Sequence, residues 1–249
     1  MMRLFFEVSY KGTNYHGWQI QQNAATVQEK INNVLSTICQ EKINIMGSGR
    51  TDAGVHCEQQ FFHADIDTHL SLNDLLYKMN TMLPFDIAIH SIREVNKEAH
   101  ARFDALSRSY EYRINTKKNA FTQNTSYYFN KILDVRTMNQ AATLLINGEQ
   151  DFECFSRVKT EVNHFRCSIT QAIWEEKGEI LIFKISANRF LRGMVRAIVG
   201  TLLDIGLKKI TVVDFEKIIA SKNRTEAGRA APPEGLFLTG VSYPKELFI

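Results

Sequence analysis

Hydrophobic and polar positions alternate from the first residues of the chain. Leu4, Phe6, Val8 and Tyr10 fall on one face, with Arg3, Glu7 and Ser9 on the other, the period of a strand that begins at once. A turn-rich stretch, KGTNYHGWQIQQN, follows. Thr26 to Glu29 then has the pattern of a capping box, and Val27, Ile31, Val34, Leu35 and Ile38 recur at helical spacing. Residues 43–66 read as two strands around a tight glycine-containing turn. Ser71 to Asp74 marks a second helix start, with Leu72, Leu75, Leu76, Met79 and Leu83 as its apolar stripe and Pro84 as its stop. Ile87 to Val95 reads as another strand. The order is β-α-β-β-α-β, that of a ferredoxin-like or RRM-like unit.

The second half echoes this pattern loosely. Tyr110, Tyr112 and Ile114 alternate as a strand. Thr137 opens a helix carrying Met138, Ala141, Ala142, Leu145 and Ile146, closed by Gly148. Residues 167–174 and 180–187 read as paired strands joined near Gly178. A helix is expected from about Phe190 to Ile205, with Leu191, Met194, Val195, Ile198, Val199, Leu202 and Leu203 inward and Gly206 as its stop. Thr211 to Ala220 forms a further helix and Leu236 to Tyr243 a last strand. The expectation is an α+β protein of two RRM-like or ferredoxin-like halves, residues 1–103 and 104–249. Together they form a largely antiparallel sheet with flanking helices.

Composition narrows the class without naming a chemistry. The 249 residues are 44% hydrophobic and 23% charged, with four prolines and thirteen glycines, ordinary values for a globular protein. No run approaches the roughly 18 apolar residues of a membrane span, and the opening lacks a signal-peptide pattern. A cytoplasmic protein is expected. Cys39, Cys57, Cys154 and Cys167 form no C-x-x-C pair, so reduced, mostly buried thiols are expected. His56, Cys57 and His63 are the best metal-ligand candidates, but adjacent strand residues such as His56 and Cys57 face opposite sides, so no metal is expected. The net charge is only +3, yet residues 184–229 alone carry net +6. Positive charge is concentrated as a phosphate-binding surface requires, and equally as a solvated basic face would have it.

Three constellations bear chemistry. In GSGRTDAGVH, residues 47–56, glycines flank Arg50 and Asp52 and let a ligand approach closely. An aspartate fixed in such a turn serves as nucleophile or base, and the same pattern also describes an Asx turn with a surface ion pair to Arg50. Arg189, Arg192 and Arg196 cluster near the start of the expected Phe190–Ile205 helix. Their spacing puts Arg192 and Arg196 on one face as a clamp for phosphate or carboxylate, or as the polar side of a solvated helix. Tyr110 and Tyr112 stand among basic residues in RSYEYR, and Trp18 in HGW, where aromatics can stack on unpaired bases or pack half-buried.

Taken together, these residues resemble the TruA family of tRNA pseudouridine synthases. The block GSGRTDAGVH resembles the family's catalytic motif. NYHGWQIQ (14–21), HARFDALSRSYEY (100–112), DFECFS (151–156), FLRGMVRAIVG (190–200) and APPEGLFLTGVSYP (231–244) follow in the expected order. The resemblance implies isomerisation of uridine to pseudouridine at positions 38, 39 and 40 of the tRNA anticodon stem-loop. It implies Asp52 as the catalytic aspartate, Tyr110 lining the uridine pocket, Arg196 pairing with that aspartate, and Arg50 holding the flipped nucleotide. Arg189 and Arg192 are candidates for further RNA contacts. Homodimers needing neither metal nor organic cofactor are implied as well. The sequence departs from the pattern at Cys57, where a small residue is expected, and at Gly193, where a bulkier polar residue is common. Three other readings are weighed against it: a non-catalytic RNA-binding protein of the same fold, a synthase aimed at another uridine and, more distantly, a metal-dependent hydrolase.

Overall fold

A computed structural model describes residues 1–157 and 162–249. The chain divides into two compact units, Met1–Leu106 with Phe237–Ile249, and Ser107–Leu236. Residues 237–249, grouped with the second half in the sequence reading, therefore lie in the first unit. No helix among the described residues is long and apolar enough to cross a membrane.

The first unit runs β1 (Met2–Tyr10), α1 (Val27–Cys39), β2 (Met46–Gly47), β3 (His56–Ile66), α2 (Leu72–Met82) and β4 (Ile87–Glu94). The sheet order is β4-β1-β3-β2 with every pair antiparallel, as the β-α-β-β-α-β reading requires. Leu4, Phe6, Val8 and Tyr10 are all buried, and Phe6 stacks on Phe62 with centroids 4.7 Å apart. The opposite face of β1 is not simply solvated. Phe5 is buried there, edge-on to Tyr243 and Phe248 and stacked on His63. Those two aromatics belong to the returning segment, whose strand β10 (Leu236–Ser242) runs parallel to β3 through Phe237↔His56 and Leu238↔Cys57.

Caps and breakers explain the helix limits. Thr26 accepts the Glu29 N–H, and Ser71 accepts the Asp74 N–H, each relieving a first-turn donor that the helix leaves open. Val27, Ile31 and Leu35 are buried on α1, and Leu75 and Met79 on α2. Burying each such side chain contributes about 1.5–3 kcal/mol. The strands at 43–66 differ from the expectation: β2 has two residues, and residues 48–55 form an open loop rather than a tight turn.

The second unit contains β5 (Ser107–Asn115), β6 (Tyr127–Tyr128), α3 (Val135–Thr143), β7 (Glu149–Asp151), β8 (Arg166–Lys177), β9 (Ile180–Ala187), α4 (Met194–Gly206) and α5 (Val212–Ser221). Its strands lie in the order β5-β9-β8-β7, all antiparallel, with β6 added in parallel to β5. Both units are thus α+β with largely antiparallel sheets. The Asn139 side chain bonds both the N–H and the C=O of Trp174, at 2.8 and 3.0 Å, tying α3 to β8.

Two helix starts in this unit depart from the sequence reading. α3 begins at Val135 because Asp134, not Thr137, is the cap; the Asp134 carboxylate accepts the Thr137 N–H at 3.1 Å. Ile146 then falls beyond the helix and is exposed, while Leu145 is fully buried. α4 begins at Met194, because Gly193 at φ +72° holds a left-handed turn that a helix cannot pass through. Arg189 and Arg192 consequently lie in the segment before α4 and do not share a helical face with Arg196. Nor is α4 a solvated amphipathic helix, since Met194, Val195, Ala197–Leu203, Ile205 and Gly206 are all buried.

Candidate active site

In the first unit, Asp52 sits at the middle of the 48–55 loop, half-buried, beside exposed Arg50. Buried neighbours on both sides hold it: Ser48, Thr51, Val55 and His56. The loop enters by the Ser48 N–H donating to Phe61 O at 2.8 Å. At its centre the Tyr10 hydroxyl and Thr51 Oγ1 bond at 2.8 Å, and the Trp18 N–H donates to Thr51 O at 3.3 Å. Val55 N–H closes a turn onto Asp52 O, and Gly54 N–H donates to Tyr15 O, both at 3.2 Å. The loop leaves at His56, whose Nδ1 accepts the Gly12 N–H at 3.1 Å and whose ring stacks on Phe237.

The stretch NYHGW thus acquires a structural meaning that stacking on bases did not foresee. Trp18 is 2% exposed and packs on Phe62 and Tyr10, so it belongs to the core beneath the loop. Gly12 and Gly17 let this segment press against the loop backbone. A Cβ on Gly12 would lie 2.0 Å from Val55 O, and one on Gly17, already at φ +93°, would lie 2.3 Å from Thr51 O. An aspartate with its backbone anchored on each side loses little further freedom when a substrate binds. Tyr10, Tyr15 and Thr51 carry much of this bracing. Sequence reasoning took Tyr10 only as a core residue, because side chain to loop bonds across 41 positions leave no periodic trace.

The other candidate residues lie in the second unit. Tyr110 on β5 is half-buried, paired in register with Ile185, and its ring meets Phe190 edge-on at 5.1 Å. Tyr112, two residues on, is fully buried, and its hydroxyl donates to Pro232 O at 2.8 Å. Burial, and the nearby Glu234 carboxylate, push that phenol's pKa well up, so it stays neutral. The strand thus separates two tyrosines that the sequence grouped, one packed and one partly open.

Arg196 is in the first turn of α4, and its Nε donates to Ala231 O at 2.7 Å, while Ala231 N–H donates back to Arg196 O at 2.9 Å. The 228–231 segment can reach the helix because of Gly200, where a Cβ would lie 1.8 Å from Arg229 O. Thr201 secures it further, accepting the Gly228 N–H at 2.9 Å while donating to Ala197 O. These bonds aim the Arg196 side chain, and Gly200, Thr201 and Ala231 were not foreseen as its supports. Arg189 lies within 3.3 Å of His164 Nε2, and Arg192 is exposed, its carbonyl accepting the Arg157 N–H.

The three metal candidates are separated by their own contacts. Cys57 is buried with its Sγ 3.9 Å from Val8 O, and its thiol is pushed well up by burial. His63 Nδ1 accepts the Ala101 N–H at 3.1 Å, and His56 is engaged at Gly12 as above. Among the described residues no group of three His, Cys, Asp or Glu side chains is placed to hold a metal ion. Burial also raises Cys154, to about 12, and Cys167, to about 11, which leaves both as neutral packing groups.

Known proteins resemble the chain over both units. A family model described as tRNA pseudouridine synthase matches residues 7–104 and 141–244, spans that include Asp52 and Arg196. A protein from Parabacteroides distasonis named tRNA pseudouridine synthase A is 44% identical over 251 residues, covering 100% of this chain and 98% of its own. Its counterpart in Bacteroides fragilis is 43% identical, covering 100% and 99%, and that of Borreliella afzelii 39%, covering 98% and 100%. Likeness of this extent takes in both compact units rather than one shared module, and the chain belongs to the family of tRNA pseudouridine synthases.

Proposed function

We propose that this protein isomerises uridine to pseudouridine at positions 38, 39 and 40 in the anticodon stem-loop of tRNA, with Asp52 as its catalytic residue. The reaction breaks the N1–C1′ bond, turns the uracil and joins C5 to C1′; a proton leaves C5 and one is gained at N1. Bonds made and broken balance within the nucleotide, so no metal or organic cofactor is needed. The target uridine first leaves the base stack, at a cost of a few kcal/mol. A carboxylate serves this chemistry by covalent attack on the base or C1′, or by taking a proton from the sugar. The observation that supports Asp52 most directly is the bracing of its loop by Tyr10, Tyr15 and Trp18, which fixes a reactive group before substrate arrives.

Tyr110 lines the uridine site, its ring face or hydroxyl serving the base. Arg196 supplies the cation that works with the aspartate, Arg50 holds the extruded nucleotide, and Arg189 and Arg192 meet phosphates. The net +6 of residues 184–229 supports a phosphate-facing role for this region. The enzyme acts in the cytoplasm, and as a homodimer, the latter as the family resemblance implies.

Replacement of Asp52 by Asn tests the assignment. The amide is close to isosteric but neither an effective nucleophile nor a base. Tritium release from C5-labelled tRNA should vanish, tRNA affinity should hold within a few-fold, and pseudouridine should disappear from positions 38–40 in a strain carrying only this variant. A folded Asp52→Asn protein that keeps more than about a tenth of wild-type turnover, a loss of only about 1.4 kcal/mol of barrier, refutes the role. Normal tritium release from tRNA lacking uridines at 38–40 refutes the target instead.

A further inference from the structure

The 11–15 segment that braces the Asp52 loop is itself held from behind by one residue. Asp86 lies between Pro84 and the start of β4, half-buried, far along the chain from both motifs. Its Oδ1 accepts the Tyr15 hydroxyl at 2.5 Å, its Oδ2 accepts Asn14 Nδ2 at 3.2 Å, and its carbonyl accepts the Lys11 N–H at 2.9 Å. Both carboxylate oxygens and the backbone are thus spent on a single short segment. Tyr15 is 6% exposed, and burial, reinforced by Asp86, drives its phenol pKa upward, which keeps the hydroxyl proton in place as a donor.

The other side of that segment faces the reactive loop. Tyr15 O accepts the Gly54 N–H at 3.2 Å, and Gly12 N–H donates to His56 Nδ1 at 3.1 Å. Gly12 also rests so closely on Val55 O that even a methyl group would not fit. Between Asp86 and the loop, no side chain with free rotation intervenes: the load passes from a carboxylate to a buried phenol, then along backbone. A bond from a carboxylate to a phenolic hydroxyl is charge-assisted and stronger than a neutral one. Without it, the segment would keep its turn but lose the stop that sets its distance from Gly54.

We infer that Asp86 is a positioning residue for the reaction, holding the Asp52 loop in its reactive geometry through Tyr15 and Gly54 without touching the substrate. The inference rests on the reading of Asp52 as catalytic. Misplacing a reacting group by 1 Å costs on the order of a hundredfold in rate, so a buttress of this kind acts on turnover before it acts on binding.

The test compares Asp86→Ala, Asp86→Asn, Tyr15→Phe and the Asp86→Ala/Tyr15→Phe pair by tritium release from C5-labelled tRNA. KM, tRNA affinity and thermal melting are measured alongside. Leu35→Ala, which opens a cavity under α1 in the same unit, supplies a destabilised control, and the assay runs well below every melting point. Asp86→Ala is expected to lower kcat by about tenfold to a hundredfold with KM and affinity within about threefold. Asp86→Asn should recover most of that loss, because its amide oxygen still accepts the Tyr15 hydroxyl. The double variant should be no worse than the poorer single one. Wild-type kcat in folded Asp86→Ala overturns the inference, as do additive losses in the pair or an equal kcat loss in Leu35→Ala. If Asp52→Asn is itself active, the catalytic reading has failed, whereas an inactive Asp52→Asn beside a fully active Asp86→Ala refutes the buttress alone.

Discussion

The Tyr10 hydroxyl lies 2.8 Å from Thr51 Oγ1, joining the last residue of β1 to the residue immediately before Asp52. The same hydroxyl donates to Gln60 Oε1 at 3.4 Å, so one phenol at the end of β1 links the loop and β3. Tyr10→Phe keeps the buried ring and removes only this link. Stability should fall by about 1–2 kcal/mol, the net worth of one good hydrogen bond to Thr51 and a longer one to Gln60. Turnover should fall several-fold more than tRNA affinity. A cycle with Thr51→Val measures the link directly, since two changes that cut one bond are not additive. Full additivity in turnover would show that the bond does not steady Asp52.

Tyr110 offers a sharper distinction between stacking and proton handling. If its hydroxyl conveys the C5 proton, Tyr110→Phe lowers kcat while KM holds, and Tyr110→Ala does little further harm to chemistry. If the ring alone serves, Phe is nearly harmless and Ala damaging. The edge-on contact with Phe190 survives in Phe and is lost in Ala, so melting temperature follows the ring in both cases. The hydroxyl role is expected, and wild-type turnover in the Phe variant contradicts it.

Gly200→Ala should be among the most damaging small substitutions in the second unit. The added Cβ would lie 1.8 Å from Arg229 O, an overlap that no rotamer relieves. The 228–231 segment must lift from α4, straining the Thr201–Gly228 and Arg196–Ala231 bonds together. A loss of about 1–3 kcal/mol or more is expected, with turnover reduced beyond what the unfolded fraction explains. Thr201→Ser, which keeps the hydroxyl, should retain the bond to Gly228 and most of the activity. A Gly200→Ala protein with wild-type melting and turnover would show that the segment is free to move.

His63 makes stability depend on pH. Burial, aided by the His100 and Arg3 charges, lowers its pKa from 6.5 to about 4, while Asp65 and Asp104 oppose the shift. His100 is lowered too, chiefly by burial. Between about pH 4 and 6.5 the unfolded chain therefore binds protons that the folded one refuses. The contribution of neutral His63 is complete above about 6.5, declines as pH falls, and is gone below about 4. It amounts to roughly 2 kcal/mol once solvent screening is allowed for. His63→Asn, whose Oδ1 can still accept the Ala101 N–H, should lose less melting temperature than wild type between pH 7 and 5. Equal losses in the two proteins would assign the acid sensitivity elsewhere.

Much of the first unit was legible because its sheet has two periods to read. β1, α1, α2 and β4 each carry a stripe at their own spacing, and Pro84 stops α2 unambiguously. Phe5 escaped because what covers it arrives from residues 243 and 248, which strand alternation cannot anticipate. The early start assigned to α4 has a different cause. Leu191 is buried at a helical interval from Met194 and Val195, so apolar spacing continues through a turn whose backbone is not helical. With that turn in place, the arginine triplet dissolves into two loop residues and one helical one. For the candidate site, the residues that meet in the Asp52 loop were named by pattern, whereas those that steady it were not. Tyr15 and Asp86 are 71 positions apart, and nothing in either neighbourhood marks the partner.

The return of residues 237–249 to the first unit has a consequence for the order in which the protein can be made. His56, where the Asp52 loop ends, stacks on Phe237, and Cys57 pairs with Leu238. On a ribosome, these partners emerge only after the whole of the second unit has been synthesised. Until then the first unit has a Phe5 without its cover from Tyr243 and Phe248, and a stretch of β3 without its parallel partner beside the Asp52 loop. The second unit, contiguous in sequence, is under no such delay. A chain released before residue 237 therefore lacks both the aromatic cover of Phe5 and the parallel partner of β3.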